Sequence, residues 1–236
     1  MNELALFAGI GGGLLGTKLL GWNPICAVEI NPYRRRVLLQ RQQDGFLGRF
    51  PIWDDARTFD GTAWRGRVDV VTAGFPCQPF SVAGRQRGEA DERNLWPETI
   101  RIIREVGPRF AFLENVPGLL VHPCFGTILG ELAESGFGVR WRCLSAAELG
   151  APHRRGRLWI VAHADKEGLE ERQGLPRDPS EKLEAPVRGG WGAPEPNMGR
   201  VAHGVPDRVE RVSALGDAQV PAVVARVWGL LTEEPT

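Results

Sequence analysis

Cys77 lies in the run Gly74-Phe75-Pro76-Cys77-Gln78-Pro79-Phe80-Ser81. Two prolines stiffen the backbone around it, and a stiff exposed loop is a poor place to bury a thiol. A lone cysteine is more often a small buried hydrophobe, but this setting suits a nucleophile whose thiolate does the work. The next stretch, Ser81-Val82-Ala83-Gly84-Arg85-Gln86-Arg87-Gly88, is polar, basic and hinged by glycines. Such a loop is suited to closing on a polyanion.

A second site is written near the N-terminus, in Phe7-Ala8-Gly9-Ile10-Gly11-Gly12-Gly13. Glycines let a backbone approach a ligand, and a helix start presents unpaired N–H groups. Glu29 follows at the end of the next apolar run, where a carboxylate can accept hydrogen bonds from ribose hydroxyls. The turn does not favour a dinucleotide, and a smaller adenosine-containing ligand fits as well.

The elements that must position these residues follow from hydrophobic periodicity. Strands are expected at Glu3 to Phe7, Ile25 to Ile30, Val68 to Thr72, Phe110 to Leu113 and Leu158 to Ala162. Helices are expected at about Tyr33 to Gln43, with Asn31 as cap and Pro32 in the first turn, at Trp96 to Val106 and at Cys124 to Ser135. Strands alternating with helices imply an α/β fold, with a parallel sheet covered on both faces. Cys77 then falls just past the third of these strands, at the edge where open α/β sheets bind ligands.

From Ala164 to Arg208 the pattern stops, and Gly and Pro supply 13 of these 45 residues. That fraction marks an irregular excursion and not a second packed domain. Order resumes at Val209, and Pro221 opens a helix with Val224, Val227, Leu230 and Leu231 on its apolar face. The division is therefore a catalytic unit at 1–163, a short variable region at 164–208 and a segment at 209–236 that returns to the first.

The 236 residues allow one sizeable core. Lysine plus arginine balance aspartate plus glutamate at 29 each, so total charge gives no hint of a polyanionic partner. Local clusters do: Arg34-Arg35-Arg36, Arg85-Gln86-Arg87 and His153-Arg154-Arg155-Gly156-Arg157. The four cysteines are scattered, which argues against a disulfide framework or zinc site and for a reduced cytoplasm. The four histidines show no ligand spacing, so no metal is expected. No apolar run reaches the length of a membrane span, and the first residues do not read as a secretory signal. Cys26 and Cys143 are expected in the core.

In order along the chain stand Phe7-Ala8-Gly9-Ile10-Gly11-Gly12, Glu29, Asp55 after Trp53-Asp54, Pro76-Cys77-Gln78 and Glu114-Asn115-Val116. Pro152-His153-Arg154-Arg155-Gly156-Arg157 and Gly216-Asp217-Ala218-Gln219-Val220-Pro221 follow. This succession resembles the cytosine-C5 DNA methyltransferase family, in its small bacterial or phage type. The resemblance implies a Rossmann-like sheet for S-adenosylmethionine-dependent methyl transfer, with helices on both faces and a small irregular target-recognition region.

It also implies roles. Cys77 would attack C6 of a flipped-out cytosine, so that C5 can take up the methyl group and leave S-adenosylhomocysteine. Glu114 would protonate or hydrogen-bond N3, which requires a raised pKa. Arg157 would bind O2, and Arg155 would position Glu114. Phe7, Gly9, Gly11, Glu29, Asp55, Leu95 and Asp217 would hold the cofactor, with Phe7 on the adenine and Asp55 at its amino group. Pro76, Gln78, Ser81, Arg85, Arg87 and Asn115 would contact the substrate. Double-stranded DNA is the expected partner, with a cognate restriction endonuclease in the same system. A cytoplasmic monomer is expected.

Two positions depart from the family pattern. His153 stands where glutamine is usual, and Asp217 where asparagine is usual. The acid at 217 changes the charge beside the cofactor's methionine part. Two alternatives remain at this point: the same chemistry on tRNA, or a non-catalytic nucleic-acid-binding module of the same fold.

Overall fold

The computed structural model describes residues 1–76, 94–164 and 207–232. Cys77, Gln78, Ser81, Arg85 and Arg87 lie outside the described residues, as does nearly all of the 164–208 region.

Seven strands form one sheet in the order β3-β2-β1-β4-β5-β7-β6. They are β1 (Asn2–Leu6), β2 (Asn23–Val28), β3 (Ile52–Trp53), β4 (Val70–Ala73), β5 (Phe110–Asn115), β6 (Phe137–Ser145) and β7 (Gly156–Ala164). The first five run parallel. β7 runs antiparallel to both β5 and β6, so the sheet is mixed and not parallel throughout. Only ten residues, 146–155, join β6 to β7, too few for the helical crossover that a parallel pair needs.

Two layers of helix cover the sheet. Leu4, Leu6, Val71, Ala73, Ala111 and Leu113 face α3 (Trp96–Val106) and α4 (Cys124–Glu134), forming one continuous apolar cluster with Ile100, Ile103, Ile128 and Leu132. The alternate residues face the other way. There Ala5 and Ala27 meet α1 (Gly12–Leu19) and α2 (Pro32–Gln43), while Val70, Phe112 and Trp159 meet α6 (Pro221–Thr232). Strict alternation on a sheet buried on both faces explains why its strands read as continuous apolar runs.

The helix ends follow local chemistry. Asn31 accepts from the amides of Tyr33 and Arg34, and Pro32 takes the first helical position of α2. Trp228 of α6 meets Trp22 edge-on with centroids 4.7 Å apart, and also packs on Phe110 and Phe112. The short helix α5 (Arg208–Asp217) precedes it. The C-terminal segment is therefore fastened to the sheet formed by the first two thirds of the chain.

Cys26 and Cys124 are buried, but Cys143 is exposed, against the expectation that it sits in the core. β6 is the edge strand of the sheet among the described residues. No helix among the described residues is long and apolar enough to cross a membrane. No cluster of potential metal ligands is present among them either.

Candidate active site

Strand order reverses between β1 and β4, and that switch point opens a crevice beyond the C-terminal strand ends. A cavity of about 450 Å³ lies there. Phe7, Gly9, Gly12, Gly13, Glu29, Gly74, Pro76, Leu95, Glu114, Asn115, Arg157, Asp217 and Gln219 are among the residues that line it. The sequence-predicted residues thus converge from β1, β2, β4, β5, β7 and the α5–α6 link.

The first turn is shaped by left-handed backbone at Phe7, Gly9 and Gly11, with φ of 53°, 57° and 84°. Glycine is needed at 9 and 11, because other L-residues adopt this region at a cost. A Cβ at Gly9 would meet nothing within 4 Å, so its backbone stands open to the cavity. Gly11 differs from its assignment. It does not line the cavity, and a Cβ there would press on Leu38 of α2 at 2.9 Å. Gly12 and Gly13 take the lining position instead.

Glu29 is buried just past β2. Its Oε2 accepts from the Gly9 amide at 2.7 Å and its Oε1 from the Asn31 amide at 2.8 Å. The carboxylate thus ties the glycine turn to the start of α2. Asp55 is placed apart from the cavity lining, where its Oδ1 accepts from the Arg57 amide.

Glu114 is the centre of the polar constellation. It ends β5 beside Asn115, in register with Trp159 of β7, and is 9% exposed. Its Oε1 pairs with Arg157 Nε at 2.7 Å, and its Oε2 accepts from Gln219 Nε2 at 3.3 Å. Burial pushes its carboxyl up from the ordinary value, and Arg157, Gln219 and Arg155 pull it down by smaller amounts. The net direction is that of a group which retains its proton to higher pH than a surface carboxyl.

The arginine pair is arranged differently from the resemblance. Arg157, not Arg155, makes the ion pair with Glu114. Arg155 has φ of 29° and lies just before β7, so the two side chains do not extend together from one strand. Its Nη1 donates to the Gly216 carbonyl at 2.8 Å. Its Nε and Nη2 are buried and meet no hydrogen-bond partner among the described residues.

Asn115 is buried, and its Nδ2 donates to the Phe75 carbonyl at 3.2 Å. That bond fixes the backbone that enters the Cys77 run. Phe75 in turn packs on Trp96 of α3, with centroids 5.3 Å apart. The first basic cluster is engaged within the protein: Arg34 pairs with Asp217, and Arg35 donates to the Glu29 and Ile30 carbonyls.

Sequence reasoning gave no role to Gln219 or Gly74, and it read Arg34 only as part of a basic cluster. Gln219 stands inside the run Gly216 to Pro221, but a polar residue between two helices carries no periodic signal. Its importance follows from a contact with a residue 105 positions away.

Comparison with known proteins follows the same lines. Residues 1–197 match the model of the C-5 cytosine-specific DNA methylase family. The Type II methyltransferase M.NgoMIV of Neisseria gonorrhoeae is 37% identical over 165 residues, covering 68% of this chain and 51% of that protein. The Type II methyltransferase M.Sau3AI of Staphylococcus aureus is 32% identical over 204 residues, covering 78% and 48%. The chain spans about half the length of these relatives. Among solved structures, a DNMT2 mutant of Spodoptera frugiperda aligns with a TM-score of 0.59 at 22% identity, over 75% of this chain and 55% of its own. The S. pombe Dnmt2 methyltransferase aligns with 0.59 at 19%, over 78% and 58%. At these identities the two structures speak to the fold.

Proposed function

Because this chain belongs to the C-5 cytosine-specific DNA methylase family, we propose that it methylates carbon 5 of cytosine in double-stranded DNA, with S-adenosylmethionine as donor. The observation that carries the reading is Glu114. It is a buried carboxyl of raised proton affinity, held by Arg157 beside a glycine-lined cavity at the open end of the sheet.

The residues present fit the cofactor. Gly9 leaves open space, with nothing within 4 Å of where a Cβ would stand. Each oxygen of Glu29 accepts one backbone hydrogen bond and keeps a lone pair for a ribose hydroxyl. Phe7 and Leu95 offer apolar surface for a purine. When bound, the cofactor supplies an electrophilic methyl group.

The chain's own residues make carbon 5 able to accept it. The base must first leave the helix stack to reach the cavity. The Cys77 thiolate adds to C6, forming an S–C bond and moving an electron pair toward N3. Glu114 passes its proton to N3, and Arg157 holds the carboxylate left behind. Arg157, which lines the cavity, is also the proposed donor to the cytosine O2, while Arg155 holds the Gly216 carbonyl behind it. Once C5 carries the methyl group, loss of the C5 proton, expulsion of the Cys77 thiolate and return of the N3 proton to Glu114 restore the aromatic ring.

The proposed partners are double-stranded DNA and a cognate restriction endonuclease, and the chain is proposed to act as a monomer. Labelled S-adenosylmethionine offered with duplex DNA and with tRNA tests the substrate, and label in DNA alone is expected. A duplex carrying 5-fluorocytosine tests the chemistry by trapping the covalent adduct. An adduct is expected with wild type and none with Cys77→Ser. No adduct under conditions where cofactor binds would sink the catalytic claim, and an adduct persisting in Cys77→Ser would sink the choice of nucleophile.

A further inference from the structure

Gln219 occupies a space that three glycines keep free. A Cβ on Gly12 would stand 2.4 Å from the Gln219 carbonyl oxygen, and one on Gly13 would stand 2.6 Å from its Oε1. A Cβ on Gly74 would meet Gln219 Nε2 at 3.2 Å and Glu114 Oε2 at 3.0 Å. Gly12 and Gly13 belong to the start of α1 and Gly74 follows β4, so Gly13 and Gly74 clasp the side-chain amide from both sides of the crevice while Gly12 meets the Gln219 backbone. Its Nε2 reaches Glu114 Oε2.

We propose that Gln219 is a positioning residue for Glu114: its amide receives the charge that appears on Oε2 when Glu114 gives its proton to cytosine N3. This rests on the methyltransferase reading above. The two oxygens of Glu114 then have separate donors, Arg157 Nε on Oε1 and Gln219 Nε2 on Oε2. Burial raises the proton affinity of Glu114 and so opposes release of its proton. The amide offsets part of that burial without adding a second fixed charge, and it holds the carboxyl plane by its far oxygen. Because the Oε1 of the same amide stands against Gly13, and the Gln219 backbone against Gly12, the orientation of Glu114 is tied to the turn that lines the cofactor cavity. Among the described residues, Arg157 from β7 and Arg155 just before it are the charged groups that act on Glu114. The glycine turns contribute backbone only.

The test follows Glu114 directly. Infrared spectra of the intact protein are titrated with pH, and the Glu114 carbonyl band is assigned by subtraction of Glu114→Gln. In Gln219→Leu the protonated band should persist to higher pH than in wild type. On duplex DNA, kcat should fall about tenfold, the loss of one hydrogen bond to a charge, while KM for the cofactor changes little. A band that titrates where wild type does overturns the proposal, whatever happens to kcat. Should Gln219→Leu fail to fold, Gln219→Glu keeps the shape and decides the matter. Two neighbouring carboxyls hold one proton to higher pH, so its band should persist further still, and an unmoved band overturns the proposal. The spectra need no nucleic acid. A wild type that bound cofactor but methylated nothing would refute the function and leave the Gln219–Glu114 relation to be judged by its titration.

Discussion

Arg34 of α2 is ion-paired with Asp217, the last residue of α5, and both side chains line the cavity. The acid that breaks the family pattern is thus answered by a base from another helix. Arg34 is the better shielded partner, and Asp217 is largely exposed. An exposed pair contributes at most about 1 kcal/mol, so the pair acts more on local charge than on stability.

Asp217→Asn frees Arg34 to face the cavity. Cofactor affinity should be unchanged or up to about fivefold tighter, the equivalent of that upper limit. Arg34→Ala leaves an unanswered acid and should weaken binding. Calorimetric titration with S-adenosylmethionine checks both, and a large loss of affinity in Asp217→Asn contradicts the account.

Gly16 tests the fastening of the C-terminal helix. A Cβ there would stand 2.5 Å from the Val224 Cβ and 2.8 Å from the Pro221 carbonyl oxygen. Alanine is the better helix former by about 1 kcal/mol, yet overpacking of this kind costs about 1–3 kcal/mol. Urea melts should therefore show Gly16→Ala less stable than wild type. Gly21, where a Cβ would meet nothing, is left-handed and controls for backbone strain alone.

Glu3 is fully buried, and the Thr17 and Thr72 hydroxyls donate to its two oxygens at 2.6 and 2.7 Å. Burial pushes its carboxyl up despite these bonds. The native state then holds a proton that the unfolded chain releases at the ordinary carboxylate value. Stability is fullest below that value and falls as pH rises toward the raised native one. Glu3→Gln removes this dependence. Urea melts at about pH 5 and about pH 8 should show the variant gaining on wild type as pH rises. A constant difference would contradict the burial argument.

Arg157 is the largest influence lowering the Glu114 value. Arg157→Ala should hold Glu114 protonated to still higher pH and lower kcat about a hundredfold to a thousandfold, as losing a charge-stabilising donor does. Cofactor binding should survive. Single-turnover rates across pH check this, and a loss below about tenfold would refute the assigned role.

Much of this architecture is legible in the amino-acid order. Runs such as Leu4 to Leu6 and Phe110 to Leu113 are buried on both faces, and Asn31-Pro32 announces its helix by local hydrogen bonding alone. Strand direction is less legible, because the apolar run of β7 reads alike both ways and only the short link from β6 shows its sense. β6 itself hides behind Arg140, Trp141 and Arg142, residues of a sheet edge where alternation is weak. Glu114 could be found from its neighbours in sequence. Its donors could not be sorted, since which arginine turns inward depends on a single left-handed residue at 155. Gln219 depends wholly on how α6 docks.

That docking sets a schedule for synthesis. The glycine turn and Glu114 leave the ribosome early, but the amide that rests between them comes near the end of the described chain. A nascent polypeptide can build most of the sheet while its polar crevice is still missing one wall. The contact that completes the acid can form only after the strands of the sheet have emerged, so a partly translated chain could be largely folded before it was active.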